Sequence, residues 1–260
     1  MKRQIREILK NLGYEIHNTK TKYLPPGMDL VADIKKIFPD LSQINTVFDV
    51  GANIGQTALY FSQKLPDANI LSFEPVKETF HELQNNTSRL KQVNCFNHAF
   101  GDKDESKRIF MRKDSQIHSM IDNVTSPSDA ISGMYDIVGE EIVNIKKIDS
   151  FCYEQNIDTI DLLKIDTEGY EMQVLQGASS YLGDNRVKLI YSEVGWDKDN
   201  KALTFFPDIY LYLSKQKFKL YGLYGLRHNY KDGSFGLFCC NALFVNSNAI
   251  KAHIEPKWWS

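Results

Sequence analysis

The sequence predicts an α/β fold with a doubly wound, mostly parallel sheet, and three observations support this prediction. From residue 46 onward, short runs rich in β-branched and aromatic residues alternate with amphipathic runs of helix length. The stretch "TVFDVGANIGQTALYF" passes from a strand through a glycine turn directly into a helix. A short polar connection joins the last two strand-like runs, which permits an antiparallel hairpin at the sheet edge.

The elements succeed one another in a regular order. The alternating part contains the predicted strands "TVFDV", "NILSFE", "QVNCFNHAF", "IDLLKID" and "VKLIYSEV". The helices predicted between them are "GQTALYFSQKL", "VKETFHELQNNTSRL" and "YEMQVLQGASSYL". A last helix, "ALTFFPDIYLYLSKQ", precedes the hairpin strands "KFKLYGLYG" and "LFCCNALFV". Strands that alternate with helices indicate a parallel sheet covered on both faces.

The chain is predicted to have three parts. An N-terminal helical extension covers residues 1–45, the main domain covers 46–250, and a tail covers 251–260. The breaker-rich stretch "YLPPGMDL" separates a leader from the main domain. Residues 102–147 do not fit the alternation, because the strand-like "KRIFMR" and "EIVNIKKI" flank a long polar stretch. We interpret this region as an insertion over the sheet edge that lies on the substrate side.

Composition limits the classes of partner. A net charge of -2 and a pI near 6.3 do not favour a nucleic-acid-binding protein. The four cysteines form no CxxC pair, and no apolar run approaches the roughly 18 residues that span a bilayer, so we predict a cytoplasmic protein with reduced thiols. The leader has an apolar helical face beside basic residues, which permits peripheral membrane contact, although a docked helix is the simpler interpretation.

Polar and glycine residues come after the first two strands, where a doubly wound sheet binds its ligand. The first strand and the turn that follows it contribute Asp49, Gly51, Asn53 and Gly55. The second strand ends in Glu74, 23 residues beyond Gly51, which is the position of an acid that binds the ribose of an adenosine-containing cofactor. Glu74 could instead cap the helix that begins after it.

Carboxylates also come after the fourth and fifth strands. The fourth strand runs into "DLLKIDTEGYE", which contributes Asp166, Glu168 and Glu171, and the fifth ends in "SEVGW" with Glu193. Like charges at this density need a cation, and either a sulfonium cofactor or a divalent metal would serve. A complete set of metal ligands is not evident in the sequence, so a divalent metal is possible but not predicted. Helix N-terminal charges or a salt bridge are the structural alternatives.

Several of these segments resemble one methyltransferase family. "FDVGANIGQTALYF", "LSFEP", "NHAFGD" and above all "IDLLKIDTEGYEMQVLQGA" are similar to the motif series of the FkbM family of S-adenosylmethionine-dependent methyltransferases, over roughly residues 46–195. The resemblance implies a class I (Rossmann-like) methyltransferase fold with seven strands, the last antiparallel. It also implies S-adenosylmethionine as cofactor and O-methylation of a hydroxyl on a sugar, glycan or related natural product.

The resemblance also implies roles for individual positions. Asp49, Gly51 and Gly55 would line the methionine end of the cofactor, with Asn53 in the same turn, and Glu74 would hold the ribose. Ala99 and Phe100 would flank the adenine, although Phe100 could equally belong to the core. Asp166 and Glu168 would face the transferred methyl group and the acceptor.

The acceptor side is less defined. A sugar hydroxyl needs a general base, and the candidates are Glu193, Asp166 and His118, the last of which lies in the polar insertion. Trp196 is a candidate for stacking on a sugar ring, as are tyrosines such as Tyr221 and Tyr224. The expected partner is a saccharide or other small-molecule acceptor and not a nucleic acid, and the oligomeric state is not predicted.

Three alternatives remain open on sequence grounds. An NAD-binding oxidoreductase would use the same glycine turn and ribose acid, although "VGANIG" departs from the GxGxxG spacing. A methyltransferase for base amines is disfavoured because "DTEG" stands where such enzymes carry an Asn/Asp-Pro-Pro-aromatic turn. A non-catalytic cofactor-binding module is the third, and acids at three successive strand ends count against it.

Overall fold

The computed structural model describes residues 24–121, 136–228 and 236–248. The predicted leader helix with its possible membrane contact, the polar stretch 122–135 and the predicted tail 251–260 lie outside these residues. Within the described ranges, no helix is long and apolar enough to cross a bilayer.

The main sheet has seven strands, as predicted. Its strands, numbered in chain order with those of a second sheet, are β1 (Thr46–Val50), β2 (Asn69–Phe73), β3 (Val93–Phe96), β7 (Ile160–Ile165), β8 (Val187–Gly195), β9 (Phe218–His228) and β10 (Leu237–Asn246). They lie in the order β3-β2-β1-β7-β8-β10-β9. β10 is antiparallel to both of its neighbours, and the pairs among β3, β2, β1, β7 and β8 are parallel. The mostly parallel sheet with an antiparallel edge hairpin is therefore confirmed.

Seven α-helices are described in these ranges. They are α1 (Leu30–Ile37), α2 (Gln56–Lys64), α3 (Lys77–Thr87), α4 (Ile148–Glu154), α5 (Glu171–Gln176), α6 (Ser179–Gly183) and α7 (Phe206–Lys215). The prediction of one helix for "YEMQVLQGASSYL" was wrong, because α5 and α6 are separate. Gly177 lies between them, and a Cβ there would be 2.0 Å from the carbonyl oxygen of Gly101. The chain bends where it passes closely over that backbone.

The prediction of one strand for "QVNCFNHAF" was also wrong. β3 ends at Phe96, and the amide of Asn97 donates to the carbonyl oxygens of Glu74 and Pro75. The chain then leaves the main sheet and forms β4 (Ala99–Phe100) beside β6 (Ile137–Lys146) in a second sheet of order β4-β6-β5. β5 (Glu105–Arg112) and β6 are antiparallel and contain the two strand-like runs predicted for the insertion.

The main sheet is covered on both faces by apolar clusters. One cluster contains a group of stacked and edge-on phenylalanines, including Phe48, Phe73 and Phe151. The other includes Leu30 and Ile34 of α1, so α1 packs into the same core as the sheet. The hydroxyl of Tyr224 donates to Asp33 of α1 at 2.7 Å, which fixes this helix further. The boundary predicted at residue 45 is not itself tested by these contacts.

The strand order changes direction beside β1. The chain leaves β1 towards β2 on one side and returns to β7 on the other. Ligands of open α/β sheets bind outside the carboxyl ends of the strands at such a point. A ligand of this sheet is therefore expected at the segments after β1, β2 and β7.

Candidate active site

The turn after β1 lies in close contact with the ends of β2 and β7. The backbone N–H groups of Gly51 and Ala52 both donate to the carbonyl oxygen of Phe73 at the end of β2. Gly51 has φ of +73°, and a Cβ on it would lie 1.8 Å from the carbonyl oxygen of Asp166 after β7. Only glycine fits here, since both the conformation and the space exclude a side chain.

Glu74 is held by this turn. Asn53 adopts a left-handed conformation with φ of +48°, and its N–H donates to Oε2 of Glu74 at 3.1 Å. The N–H of Val76 donates to Oε1 at 3.0 Å. The residue is only 6% exposed, and burial raises the pKa of Glu74 to about 7. Both carboxylate oxygens are thus fixed by backbone groups at the wall of a cavity.

Lys164 is a functional candidate that the sequence analysis missed. It lies opposite Asp49 in the β1–β7 pairing, and its Nζ is 3.1 Å from Oδ1 of Asp49 and 3.7 Å from Oδ2 of Asp166. Nζ also donates to the carbonyl oxygen of Gly51 at 2.8 Å. Burial acts against the charge on Lys164, but the two carboxylates outweigh burial and raise its pKa. Burial also raises the pKa of Asp49.

Three carboxylates converge after β7 and on β8. Oxygens of Asp166, Glu168 and Glu193 lie within 4.8 Å of one another. Burial, followed by repulsion from Asp166, raises the pKa of Glu193 to about 8. Burial and then the Glu193 charge raise the pKa of Glu168 well above its usual value. The group therefore disfavours full ionisation in the absence of a cation, and its spacing would suit a hard cation.

Glu171 is separate from this group. Its side chain is buried and accepts from the N–H and hydroxyl of Thr167 at 2.8 and 3.0 Å, and from the hydroxyl of Thr204 at 2.5 Å. Burial raises the pKa of Glu171. This carboxylate closes the loop between β7 and α5, in which Glu168 adopts φ of +54°. Glu171 thus supports a strained backbone that presents Glu168 to the cavity.

The first part of the insertion forms a wall of the site. Ser115 donates to Oδ1 of Asn53 at 3.0 Å, and the hydroxyl of Ser119 donates to the carbonyl oxygen of Glu168 at 2.7 Å. Nδ1 of His118 accepts from the backbone N–H of Arg112 at 3.1 Å. Burial and then the Arg112 charge lower the pKa of His118. In the neutral ring Nε2 therefore carries the hydrogen, so His118 is placed as a donor and not as a base.

These groups line one cavity of about 530 Å³, a size usual for small-molecule sites. Of the predicted site residues, those that line it are Gly51, Asn53, Glu74, Ala99, Phe100, His118, Asp166, Glu168 and Glu193. Asp49 lies beneath the floor as the partner of Lys164. Gly55 lies behind the turn, where a Cβ would be 3.0 Å from Leu83 of α3, so its role is helix packing.

The side-chain placement of four aromatic residues does not support their predicted contacts with a ligand. Phe100 is 1% exposed, and its ring packs on Phe73 and Phe151, so the ring belongs to the core although the residue contributes to the cavity lining. Trp196 is not among the lining residues, because its ring packs on Phe206 of α7 at 4.7 Å. Tyr221 and Tyr224 likewise pack in the core cluster of α1.

Sequence reasoning missed two cations of the cavity. For Lys164 a signal was present, since a lysine inside the wholly buried strand "IDLLKI" must have a charged partner. For Arg227 on β9 no local signal existed, because only the position of β9 beside β10 brings it to the cavity.

The mostly parallel seven-stranded sheet with its antiparallel edge has the architecture of a class I, Rossmann-like methyltransferase. The methyltransferase FkbM domain matches residues 49–220, so the chain belongs to the FkbM methyltransferase family.

Named relatives agree with this family. The chain is 31% identical to Methyltransferase 1 of Beauveria bassiana over 54% of its length and 59% of that protein. It is 26% identical to the 2-O-methyltransferase NoeI of Sinorhizobium fredii, over 56% of the chain and 62% of the relative. It is also 26% identical to the hexuronic acid methyltransferase AglP of Haloferax volcanii, over 66% and 64%. The matched part thus spans about three fifths of each relative.

Proposed function

We propose that the protein is an S-adenosylmethionine-dependent O-methyltransferase whose acceptor is a hydroxyl of a sugar, glycan or related natural product. The observation that carries the proposal is that carboxyl groups line the same cavity at two separate places along the sheet. Glu74 lies at the end of β2, and Glu193 lies on β8 beyond β1 and β7. The relatives NoeI and AglP, named for 2-O- and hexuronic acid methylation, support a saccharide acceptor.

The residues around Glu74 fit the adenosine-containing donor. Each Glu74 oxygen accepts one backbone N–H, which leaves lone pairs for the two hydroxyls of a ribose. The N-terminus of α2 has no side-chain cap, and Gln56 and Thr57 of its first turn line the cavity. Free N–H groups there suit a carboxylate such as that of the methionine moiety. We call the Gly51–Asn53 turn, Glu74 and this helix start the cofactor half of the cavity.

Asp166, Glu168 and Glu193 form what we call the acceptor half, together with Arg227. S-Adenosylmethionine, when bound, supplies a methyl group activated by a positively charged sulfur. The Lys164 ammonium contacts Asp49, Asp166 and the carbonyl oxygen of Gly51. It thereby holds the loop at Asp166 next to the turn at Gly51. The chain then has to align the acceptor hydroxyl and remove its proton.

Glu193 is the proposed general base. A base works best when its pKa lies near the working pH, and the pKa of about 8 meets that condition. Asp166 is a weaker candidate because its side chain is 40% exposed and already forms an ion pair with the Lys164 ammonium, 3.7 Å away. His118 contributes a hydrogen-bond donor at the insertion wall.

The test has two arms. Differential scanning fluorimetry with S-adenosylmethionine, S-adenosylhomocysteine and NAD should give stabilisation by the first two only. Transfer of a labelled methyl group to a panel of neutral and acidic saccharides, with and without a chelator, should then yield a methyl ether. Stabilisation by NAD alone would contradict the proposal and favour the oxidoreductase. Complete loss with chelator would assign a cation to the Asp166, Glu168 and Glu193 group.

A further inference from the structure

Arg227 stands apart from the other charged groups of the cavity. The cavity is lined by two strongly basic side chains, those of Lys164 and Arg227. Lys164 is buried and paired with Asp49 and Asp166. Arg227 is exposed to solvent, and among the described residues no carboxylate lies within 4.0 Å of its guanidinium. Within the part of the chain that the structure describes, its charge therefore faces the cavity without a direct ion-pair partner.

Strand spacing places Arg227 far from the cofactor half. β9 is the edge strand, and β10, β8 and β7 lie between it and β1. Four strand spacings correspond to about 19 Å, and β2, which ends just before Glu74, lies one spacing further away. Glu193 on β8 is only two strand spacings away, and the Arg227 charge lowers its pKa against the dominant effect of burial. Arg227 therefore belongs with the acceptor and not with the ribose or methionine of the donor.

The backbone of β9 is irregular just before this residue. Arg227 pairs with Cys239 and Tyr224 pairs with Asn241, so three steps on β9 face two steps on β10. The extra residue is a β-bulge that includes Gly225, which has φ of +61°. Bulges are found beside active sites because they re-aim a side chain. The bulge thus changes the strand direction at the position where Arg227 reaches the cavity.

From this placement, we propose that Arg227 is a specificity residue that binds an anionic group, a carboxylate or a phosphate, on the methyl acceptor. A guanidinium binds either group through two parallel N–H donors. The other described groups of the acceptor half are the carboxyl groups of Asp166, Glu168 and Glu193, which offer an anionic acceptor no favourable charge. The acceptor hydroxyl would lie at Glu193, with the anion towards β9. This inference rests on the proposed function, because it assumes a saccharide acceptor at this site.

The experiment measures acceptor binding directly. Protein saturated with S-adenosylhomocysteine is titrated with glucuronic acid, glucose 1-phosphate and glucose, and dissociation constants are determined by NMR or calorimetry. We expect one or both acidic sugars to bind more tightly than glucose, and the carboxylate and phosphate arms distinguish the two sources of the anion. In Arg227→Met this advantage should fall by about 10- to 100-fold, as for loss of a charge-assisted hydrogen bond. Arg227→Lys should retain part of it.

Arg89→Met is the matched control, since Arg89 is exposed after α3 and does not line the cavity. It should behave as the unmodified protein. The proposal is overturned if neither acidic sugar binds better than glucose, or if Arg227→Met weakens glucose and the acidic sugars equally. It is also overturned if the variant loses affinity for S-adenosylhomocysteine instead. A protein that binds acidic sugars through Arg227 but transfers no methyl group would contradict the proposed function and leave the anion site intact.

Discussion

The cofactor half and the acceptor half of the cavity differ in how their carboxylates are held. Glu74 in the cofactor half is fixed by backbone N–H groups of Asn53 and Val76. Glu193 in the acceptor half is surrounded by other carboxylates, and burial with repulsion raises its pKa to about 8. The first arrangement favours a fixed binding contact, whereas the second favours a group that exchanges a proton. The two halves should therefore respond differently to removal of a charge.

The largest expected effect is on the acceptor half. Glu193→Gln should lower kcat by about 10²- to 10⁴-fold, because an amide cannot accept the hydroxyl proton. Affinity for S-adenosylhomocysteine should stay unchanged. A base must be deprotonated, so kcat/KM of the unmodified protein should rise with pH through a midpoint of about 8 and then level off. The measurement is the pH profile of labelled methyl transfer.

Glu105→Gln is the control for this experiment, because Glu105 is exposed on β5. It should retain activity and the same pH midpoint. If Glu193→Gln retained both the rate and the midpoint, the base would lie elsewhere, with Asp166 the next to test.

The cofactor half should show the opposite response. Glu74→Gln should weaken S-adenosylhomocysteine binding by about 10- to 100-fold, because a charge-assisted contact to the ribose is lost. kcat at saturating donor should change little, and the pH midpoint should stay near that of Glu193. Calorimetric titration gives the affinity, and Glu82→Gln, an exposed carboxylate of α3, is the control. A large fall in kcat with unchanged affinity would remove the division between the two halves.

The same difference explains what could be predicted from the sequence. The cofactor half depends on local chain geometry, since Gly51, Asn53 and Glu74 each come after a recognisable strand, and their spacing places them together. The mostly parallel sheet with an antiparallel edge hairpin was likewise predictable, because strands alternate with helices and the last two strands are joined by a short connection.

The acceptor half depends on contacts between distant segments. Arg227 reaches the cavity only because β9 pairs with β10, and the placement of His118 depends on its contact with the Arg112 backbone. Trp196 looked like a sugar-stacking residue, but packing on Phe206 decides its orientation. Phe100 shows the same limit, since an aromatic residue after a strand serves a core as readily as a ligand.

The smallest expected effect is a stability difference that reports the strain in the acceptor half. The folded protein holds the Glu193 proton up to about pH 8, whereas the unfolded chain releases it near the ordinary glutamate pKa of 4.5. The stability that this raised pKa confers is fully present below about pH 4.5 and is lost as pH rises through about 8. Glu193→Gln carries no such proton. The Tm of the variant should therefore rise relative to that of the unmodified protein as the pH increases. Thermal unfolding at about pH 5 and pH 9, with Glu105→Gln as control, measures this change in relative Tm.

An equal difference in Tm between Glu193→Gln and the unmodified protein at the two pH values would mean that Glu193 is ionised in the folded protein throughout. The acceptor half would then be a fixed anionic surface like the cofactor half, and its cluster would need another cation to hold it.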